Sequence, residues 1–202
     1  MEGTIRRAAT LPALFLLCGL TGCLSQTTPV EIHYYSPNFP IETRELLRDR
    51  FPKDQAADLR LRPVTAAATI SESLTWRVSA VEVAFDETNR WAVAPAKLLT
   101  AALNRHLYLD GPFYVWANDR SQPNLYVDLL AFEGNSSNNT ALVRLSVKLR
   151  HAKRQVPAAR EFECVKTLAN REPRTLARAL SLGLDELAHE VAMWATQEHP
   201  PH

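Results

Sequence analysis

Hydrophobic and polar residues alternate most regularly between Thr140 and Arg150. Alternate residues of a strand point to opposite faces of its sheet, so this pattern predicts a strand with one dry and one wet face. The dry face would carry Ala141, Val143, Leu145, Val147 and Leu149. Similar patterns predict strands at Val30–Ser36, Leu59–Val64, Phe113–Ala117, Leu125–Phe132 and Val156–Val165, and two more within Leu74–Phe85. In that last pair the expected inward residues are Trp76, Val78, Val81, Val83 and Phe85.

The period becomes helical in two places. Pro95 suits a first helical position, and the helix that it opens would end at Asp110–Gly111–Pro112. A longer helix is predicted from about Pro173 to Thr196. The two apolar stripes are Leu98, Leu99, Ala102, Leu103 and His106, and then Leu176, Leu180, Leu184, Leu187, Val191 and Trp194. Residues 36–58 read as a surface excursion with a possible short helix at 41–51. The predicted fold is an α/β two-layer sandwich, a mostly antiparallel sheet with two main helices on one face.

The N-terminus carries an export pattern. Arg6 and Arg7 precede an apolar run over residues 8–20, and Leu20–Cys23 then reads Leu-Thr-Gly-Cys. This pattern predicts a signal peptide that is cleaved before Cys23, whose thiol becomes acylated. A transmembrane anchor is the alternative, but a spanning helix needs about 20 apolar residues.

Four segments follow from this interpretation. Residues 1–22 are the signal peptide, 23–29 the lipidated cysteine and tether, 30–196 a single domain and 197–202 a flexible tail. Leu24 stands where aspartate would mark retention, and this resembles lipoproteins that are sorted to the outer membrane.

Charge and cysteine content exclude some functions. Cleavage would remove Arg6, Arg7 and Glu2 from the 23 basic and 22 acidic residues, which leaves 21 of each. A formally neutral domain has no overall field that attracts nucleic acid or anionic lipid. Cys164 would be the one free thiol of the mature chain, so no intramolecular disulfide can form. Its alternation with Phe162 predicts a buried structural thiol.

Motifs for chemistry are missing, and we predict no catalytic residue, metal ligand or cofactor. His189–Glu190 resembles the start of a zinc helix, but Met193 stands where the second histidine is needed, so an exposed pair is favoured. His106 is expected to be a satisfied histidine at the core edge. Asp86–Glu87 could form a catalytic carboxylate pair, but neighbouring strand residues point apart, and a charged turn leading into the helix is favoured.

Several short motifs follow the lipobox Leu20–Cys23 in a fixed order: Leu61–Val64, Trp76–Ser79, Asn89–Pro95 before a leucine-rich helix, Tyr126–Leu129, and a final amphipathic helix. Together they resemble the ABC-type transport auxiliary lipoproteins, the PqiC-like family. The resemblance spans about Leu59–Trp194.

This resemblance implies a periplasm-facing lipoprotein of the outer membrane, without enzymatic activity. It would dock an MCE-domain lipid-transport assembly that an inner-membrane ABC transporter energises, and so contribute to membrane integrity. Homo-oligomers are also implied. Two other classes stay open: a structural or assembly lipoprotein of another outer-membrane machine, and a lipid-handling enzyme.

Four residues are candidate contacts with a partner or a second copy. Leu130 and Phe132 are expected on the face opposite Leu125, Val127 and Leu129, and an apolar outer face favours a neighbour. Arg90 and Trp91 precede the first helix. Trp91 could fill the gap between helix and sheet or contact a partner, since buried aromatic residues dominate both settings.

Overall fold

A computed structural model describes residues 29–37, 57–114, 122–151 and 156–200. The chain divides into two units, Met1–Val30 and Glu31–His202. Only Pro29 and Val30 of the first unit are among the described residues, so every element below belongs to the second. Cys23, the short helix expected at 41–51 and the end of the strand expected at Phe113–Ala117 lie outside the described residues.

Eight of the ten described strands form one mixed sheet. The strands are β1 His33–Tyr35, β2 Ala57–Asp58, β3 Arg60–Leu61, β4 Thr65–Ala66, β5 Ser73–Arg77, β6 Val83–Trp91, β7 Phe113–Tyr114, β8 Asn124–Asn135, β9 Thr140–Arg150 and β10 Ala158–Thr167. Across the sheet the order is β1, β6, β5, β8, β9 and β10, and β3 and β4 also pair with β8. The strands β2 and β7 form a separate parallel pair.

The long antiparallel ladder β8–β9–β10 is the centre of the fold. The dry face predicted for β9 is confirmed, because all five of its residues are buried. Parallel pairing joins β1 to β6 and β5 to β8. The predicted α/β architecture, with a mostly antiparallel sheet and two main helices, is confirmed.

Only β3, Arg60–Leu61, forms within the predicted strand Leu59–Val64, and β4, Thr65–Ala66, follows beyond its predicted end; both pair with β8. Arg62 still donates its backbone N–H to the carbonyl oxygen of Leu125 at 2.8 Å. Pro63 has no N–H to donate, so the hydrogen-bonded ladder cannot continue through it. The run therefore forms two short parallel contacts instead of one strand.

The inward residues predicted for β5 and β6 are wrong in part. Trp76 does pack against the core, but Val78, Val81 and Phe85 are exposed. The cause is the turn between the strands, after which Val83 lies opposite Arg77 and Phe85 lies opposite Thr75. These pairs share the outer face of the sheet, whereas Leu74 and Trp76 point to the inner face.

The two helices form the second layer of the sandwich and cover the inner face of the sheet. Helix α1, Pro95–Asn104, begins at the predicted proline and continues as a π-helical turn, Arg105–Leu109. Helix α2, Pro173–Glu198, runs two residues beyond its predicted end and packs on β9, β10 and α1. Both predicted stripes face the core: every member is buried except His106, which is half-buried.

Candidate interaction surface

A β-bulge in β8 places the two contact candidates of that strand, Leu130 and Phe132, on opposite faces of the sheet. The pairing of β8 with β9 shifts register between Leu129 and Ala131, so that Phe132 lies opposite Val143 on the inner face. Phe132 is only 3% exposed, and the prediction that it lies on the outer face is wrong. Leu130 occupies the bulge and is 39% exposed. An extra residue in one strand inverts the alternation beyond it, which strict period-two counting cannot register.

Trp91 is a core residue. Its side chain is 2% exposed, and its ring centroid lies 5.1 Å from that of Phe132. The backbone N–H of Trp91 also donates to the carbonyl oxygen of Glu72 at 2.6 Å. Of the two interpretations left open for this tryptophan, the structure supports core packing.

Arg90 has the opposite orientation to its neighbour Trp91. It lies in register with the exposed Tyr34 of β1 and is half-buried. Its Nε atom is buried and has no hydrogen-bond partner within the described part of the chain. Arg90 and Leu130 therefore keep partly accessible positions, whereas Trp91 and Phe132 do not.

Other large apolar side chains share the outer face of the sheet with Leu130. Tyr126 lies opposite Lys148, and Val165 lies opposite Leu142, at positions between the buried ones. Tyr126, Val165 and Phe85 are all exposed. We call Phe85, Tyr126, Leu130 and Val165 the outer apolar set. Such residues on an open sheet face are available to a partner.

Ion pairs neutralise the charges between these apolar residues. Arg77 pairs with Glu133, and its guanidinium also donates to the second carboxylate oxygen at 3.0 Å. Arg144 donates from Nε to Glu163 at 2.7 Å. The hydrogen bond to Glu133 raises the pKa of Arg77 more than burial lowers it. Four charged residues of this face therefore form two ion pairs, while Lys148, opposite Tyr126, is an exposed charge.

The carboxylate of Asp86 stabilises the backbone of the residues that follow it in β6. The predicted charged turn is wrong, because Asp86–Trp91 belongs to β6. One carboxylate oxygen of Asp86 accepts hydrogen bonds from the backbone N–H groups of Thr88, at 3.0 Å, and Asn89, at 2.9 Å. Burial opposes ionisation, but these bonds and those from the two side chains outweigh it and lower the pKa of Asp86. Glu87 is exposed and does not share this site.

A polar cluster joins the helices. Arg105 and His106 both reach one oxygen of Asp185 on α2, at 2.6 Å from the guanidinium and 2.9 Å from Nε2. Consecutive residues of a regular α-helix point about 100° apart, so the sequence holds no signal for this convergence. The π-helical turn that begins at Arg105 brings both side chains to the same carboxylate.

His106 and His189 both occupy positions that agree with the predictions from the sequence. His106 is half-buried and hydrogen-bonded, as expected of a core-edge residue. His189 is exposed, as expected, and its ring meets that of His106 edge to face at 5.2 Å. Among the described residues, no group of three or more histidine, cysteine or acidic side chains could hold a metal ion.

Cys164 is buried, as predicted, and is a free thiol. Burial is the largest effect on it and raises its pKa. Its environment is therefore that of a structural thiol and not of a nucleophile. Within the described part of the chain, no helix is long and apolar enough to cross a membrane.

The fold defines a class of α/β domain in which both helices pack on one side of a mixed sheet, and within the described residues the other side carries exposed apolar side chains. The family model of the ABC-type transport auxiliary lipoprotein component matches residues 48–192. This match covers well over half of the chain, so the protein belongs to that family. It is therefore an auxiliary lipoprotein component of ABC-type transport, and such a lipoprotein resides in the cell envelope.

Two solved structures share the fold. A Xanthomonas campestris protein of the DUF330 family is 21% identical with a TM-score of 0.63, covering 83% of this chain and 91% of its own. A crystal structure of an uncharacterized protein is 16% identical with a TM-score of 0.62, covering 81% of this chain and 98% of its own. The comparison with curated proteins finds no match.

Proposed function

We propose that the protein is a non-catalytic docking subunit of an MCE-type lipid-transport system. It is anchored in the outer membrane by acyl chains on Cys23, faces the periplasm and contributes to membrane integrity. The observation that carries this proposal is the match to the transport auxiliary lipoprotein family over residues 48–192. The MCE partner and the outer-membrane location come from the resemblance to PqiC-like members, with the lipobox and Leu24 as their support in the sequence.

The geometry supports docking in preference to catalysis. The outer apolar set lies on a sheet face that the two helices do not cover, and two ion pairs, Arg77–Glu133 and Arg144–Glu163, lie on the same face. The titratable groups that converge, Arg105, His106 and Asp185, bind one another across the two helices. Their arrangement holds the π-helical turn that follows α1 to α2. A second copy on the same face would give the homo-oligomer that the resemblance implies.

A pull-down of the full acylated chain from detergent-solubilised membranes tests the proposal. Mass spectrometry of the captured proteins should identify an MCE-domain protein with its ABC subunits, and intact mass should show acylated Cys23. Cys23→Ser is the matched control, because it removes the acylation site and leaves the domain unchanged. It should lose membrane anchoring while keeping the native oligomer mass.

Three outcomes contradict the proposal. Capture of a different envelope complex would favour the structural or assembly role in another outer-membrane machine. Turnover of a lipid substrate by the purified chain would favour the enzyme. An unmodified Cys23 thiol in exported protein would remove the anchor.

A further inference from the structure

The turn between β5 and β6 carries apolar side chains that nothing in the described part of the chain covers. Val81 is 96% exposed, and Val78 and Ala80 are exposed beside it. Phe85 follows on the outer face at 48% exposure. We call Val78, Ala80 and Val81, which lie in the turn itself, the apolar tip. Glu82 is the one charged residue within 78–85.

The tip is held in place by hydrogen bonds. Val78 donates its N–H to the carbonyl oxygen of Glu82 at 3.0 Å. Ser136, in the turn between β8 and β9, donates from both its backbone N–H and its hydroxyl to the carbonyl oxygen of Arg77, each at 3.0 Å. The hydroxyl of Ser137 donates to the carbonyl oxygen of Val78 at 3.2 Å. The exposure of Val81 is therefore a feature of an anchored turn.

The first strand of the domain runs away from the tip. β1 is parallel to β6, with His33 opposite Asn89 and Tyr35 opposite Trp91, and β6 begins at Val83, directly after the tip. The backbone at Glu31 and Ile32 therefore leads into β1 from the direction of the tip. Seven residues lie between Cys23 and Glu31, so even a fully extended chain keeps Glu31 within about 30 Å of the acylated cysteine.

We infer that the apolar tip contacts the headgroup region of the bilayer that holds the acyl chains of Cys23. This inference rests on the acylation in the proposed function and adds a second membrane contact, made by the folded domain. The acyl chains fix only the position of Cys23 at the membrane. An additional apolar contact made by the domain also fixes the orientation of the domain. Glu82 is the one charged residue within 78–85, and its negative charge favours contact with zwitterionic over anionic lipid.

Site-specific fluorescence on the full acylated chain tests this inference. A fluorophore is attached at Val81→Cys or at Val156→Cys, both in a Cys164→Ala background. Val156 is the matched control, since it is also an exposed valine but precedes β10 at the opposite end of the sheet. Both proteins are reconstituted in phosphatidylcholine vesicles with and without a lipid that carries a nitroxide on its headgroup.

The expected result is that the nitroxide quenches the probe at position 81 at least about twofold more strongly than the probe at 156, as follows for a shallow interfacial contact. With the probe moved to Ala80→Cys, Val81→Asp should bring the quenching to the level of position 156. Part replacement of phosphatidylcholine by phosphatidylglycerol should lower the quenching at 81.

Equal quenching at 81 and 156 would overturn the inference. Energy transfer between labelled copies at 81, without quenching by lipid, would assign the tip to a second copy and overturn it too. Vesicle flotation and intact mass read the Cys23 anchor independently. Protein that floats but shows no tip quenching would refute only the membrane contact, while protein that does not float would refute the anchor.

Discussion

The indole ring of Trp91 lies 5.1 Å from the phenyl ring of Phe132, with 44° between the ring planes. The two residues belong to β6 and β8, which are separated by β5 in the sheet. Their contact therefore links strands that share no backbone hydrogen bonds. It exists because the bulge at Leu129–Ala131 turns Phe132 inward.

Replacing Trp91 with alanine should destabilise the domain strongly. Loss of a fully buried large aromatic side chain leaves a cavity and costs about 3–5 kcal/mol. Phe85→Ala is the control on the same strand, and its half-exposed ring should cost less than about 1 kcal/mol. Urea unfolding of both variants gives the free energies. Equal losses of unfolding free energy in the two variants would contradict the placement of Trp91 in the core.

Gly134→Ala should also be destabilising. A Cβ atom at Gly134 would lie 2.5 Å from the Trp76 ring and 3.0 Å from Leu176, so a rigid ring would have to move. Overpacking of this kind costs about 1–3 kcal/mol. At Gly183 the nearest atom, the sulfur of Cys164, would be 3.3 Å away, and better helix propensity offsets the crowding. Gly183→Ala should therefore change the free energy of unfolding by less than about 1 kcal/mol, the usual glycine-to-alanine gain.

Elements with uniform pattern were predictable, and elements with a local irregularity were not. The alternation of β9 and the stripe of α2 each report one face throughout, because the backbone geometry stays regular. The tip between β5 and β6 resets the alternation, so Phe85 points outward although its strand looks like a continuation of the pattern at Trp76. The spacing of apolar residues along the chain does not show that a turn has changed the face to which the following side chains point.

Asp185→Ala should loosen the contact between α1 and α2. Arg105 and His106 would both lose their bond to this carboxylate, although Arg105 keeps its ion pair with Asp110. Because these side chains are partly exposed, the cost should be about 1–2 kcal/mol. Glu186→Ala is the neighbouring control: it removes an exposed ion pair with Lys166 and should cost no more than about 0.5 kcal/mol. Hydrogen exchange of the π-helical turn should rise in the first variant only. Unchanged exchange there would contradict the role of Asp185.

Asp86 should make the stability depend on acid pH. Its pKa is lowered in the folded state from an ordinary value of 3.8, so the folded state favours the ionised form. The stabilisation is present above that unfolded value and is lost as pH falls through the folded pKa. Asp86→Asn lacks this titration. The difference in unfolding free energy between wild type and Asp86→Asn should stay constant from pH 7 to about 5 and shift against wild type below about pH 4; a constant difference down to pH 3 would contradict the lowered pKa.

The contact candidates show the same limit as the fold. Leu130 and Phe132 are two residues apart and would share a face in a regular strand, but the bulge between Leu129 and Ala131 separates them. For Trp91 the sequence leaves core packing and a partner contact open, and the 2% exposure of its side chain decides for the core. The predicted outward position of Leu130 agrees with its 39% exposure.

Leu130→Glu should weaken capture of the transporter partner if the outer apolar set is the docking face. Leu130 is 39% exposed, so a carboxylate there can stay solvated in the free domain but would be buried in a dry interface, where an unpaired charge is strongly unfavourable. Leu182→Glu is the matched control, because Leu182 is an exposed leucine on α2. The yield of partner in the pull-down should fall at least about tenfold for the first variant, which corresponds to about 1.4 kcal/mol, and stay unchanged for the second. Since both sites are exposed, urea unfolding should show similar stability for the two proteins. Undiminished capture with Leu130→Glu, or an equal loss with Leu182→Glu, would move the docking site away from this face of the sheet.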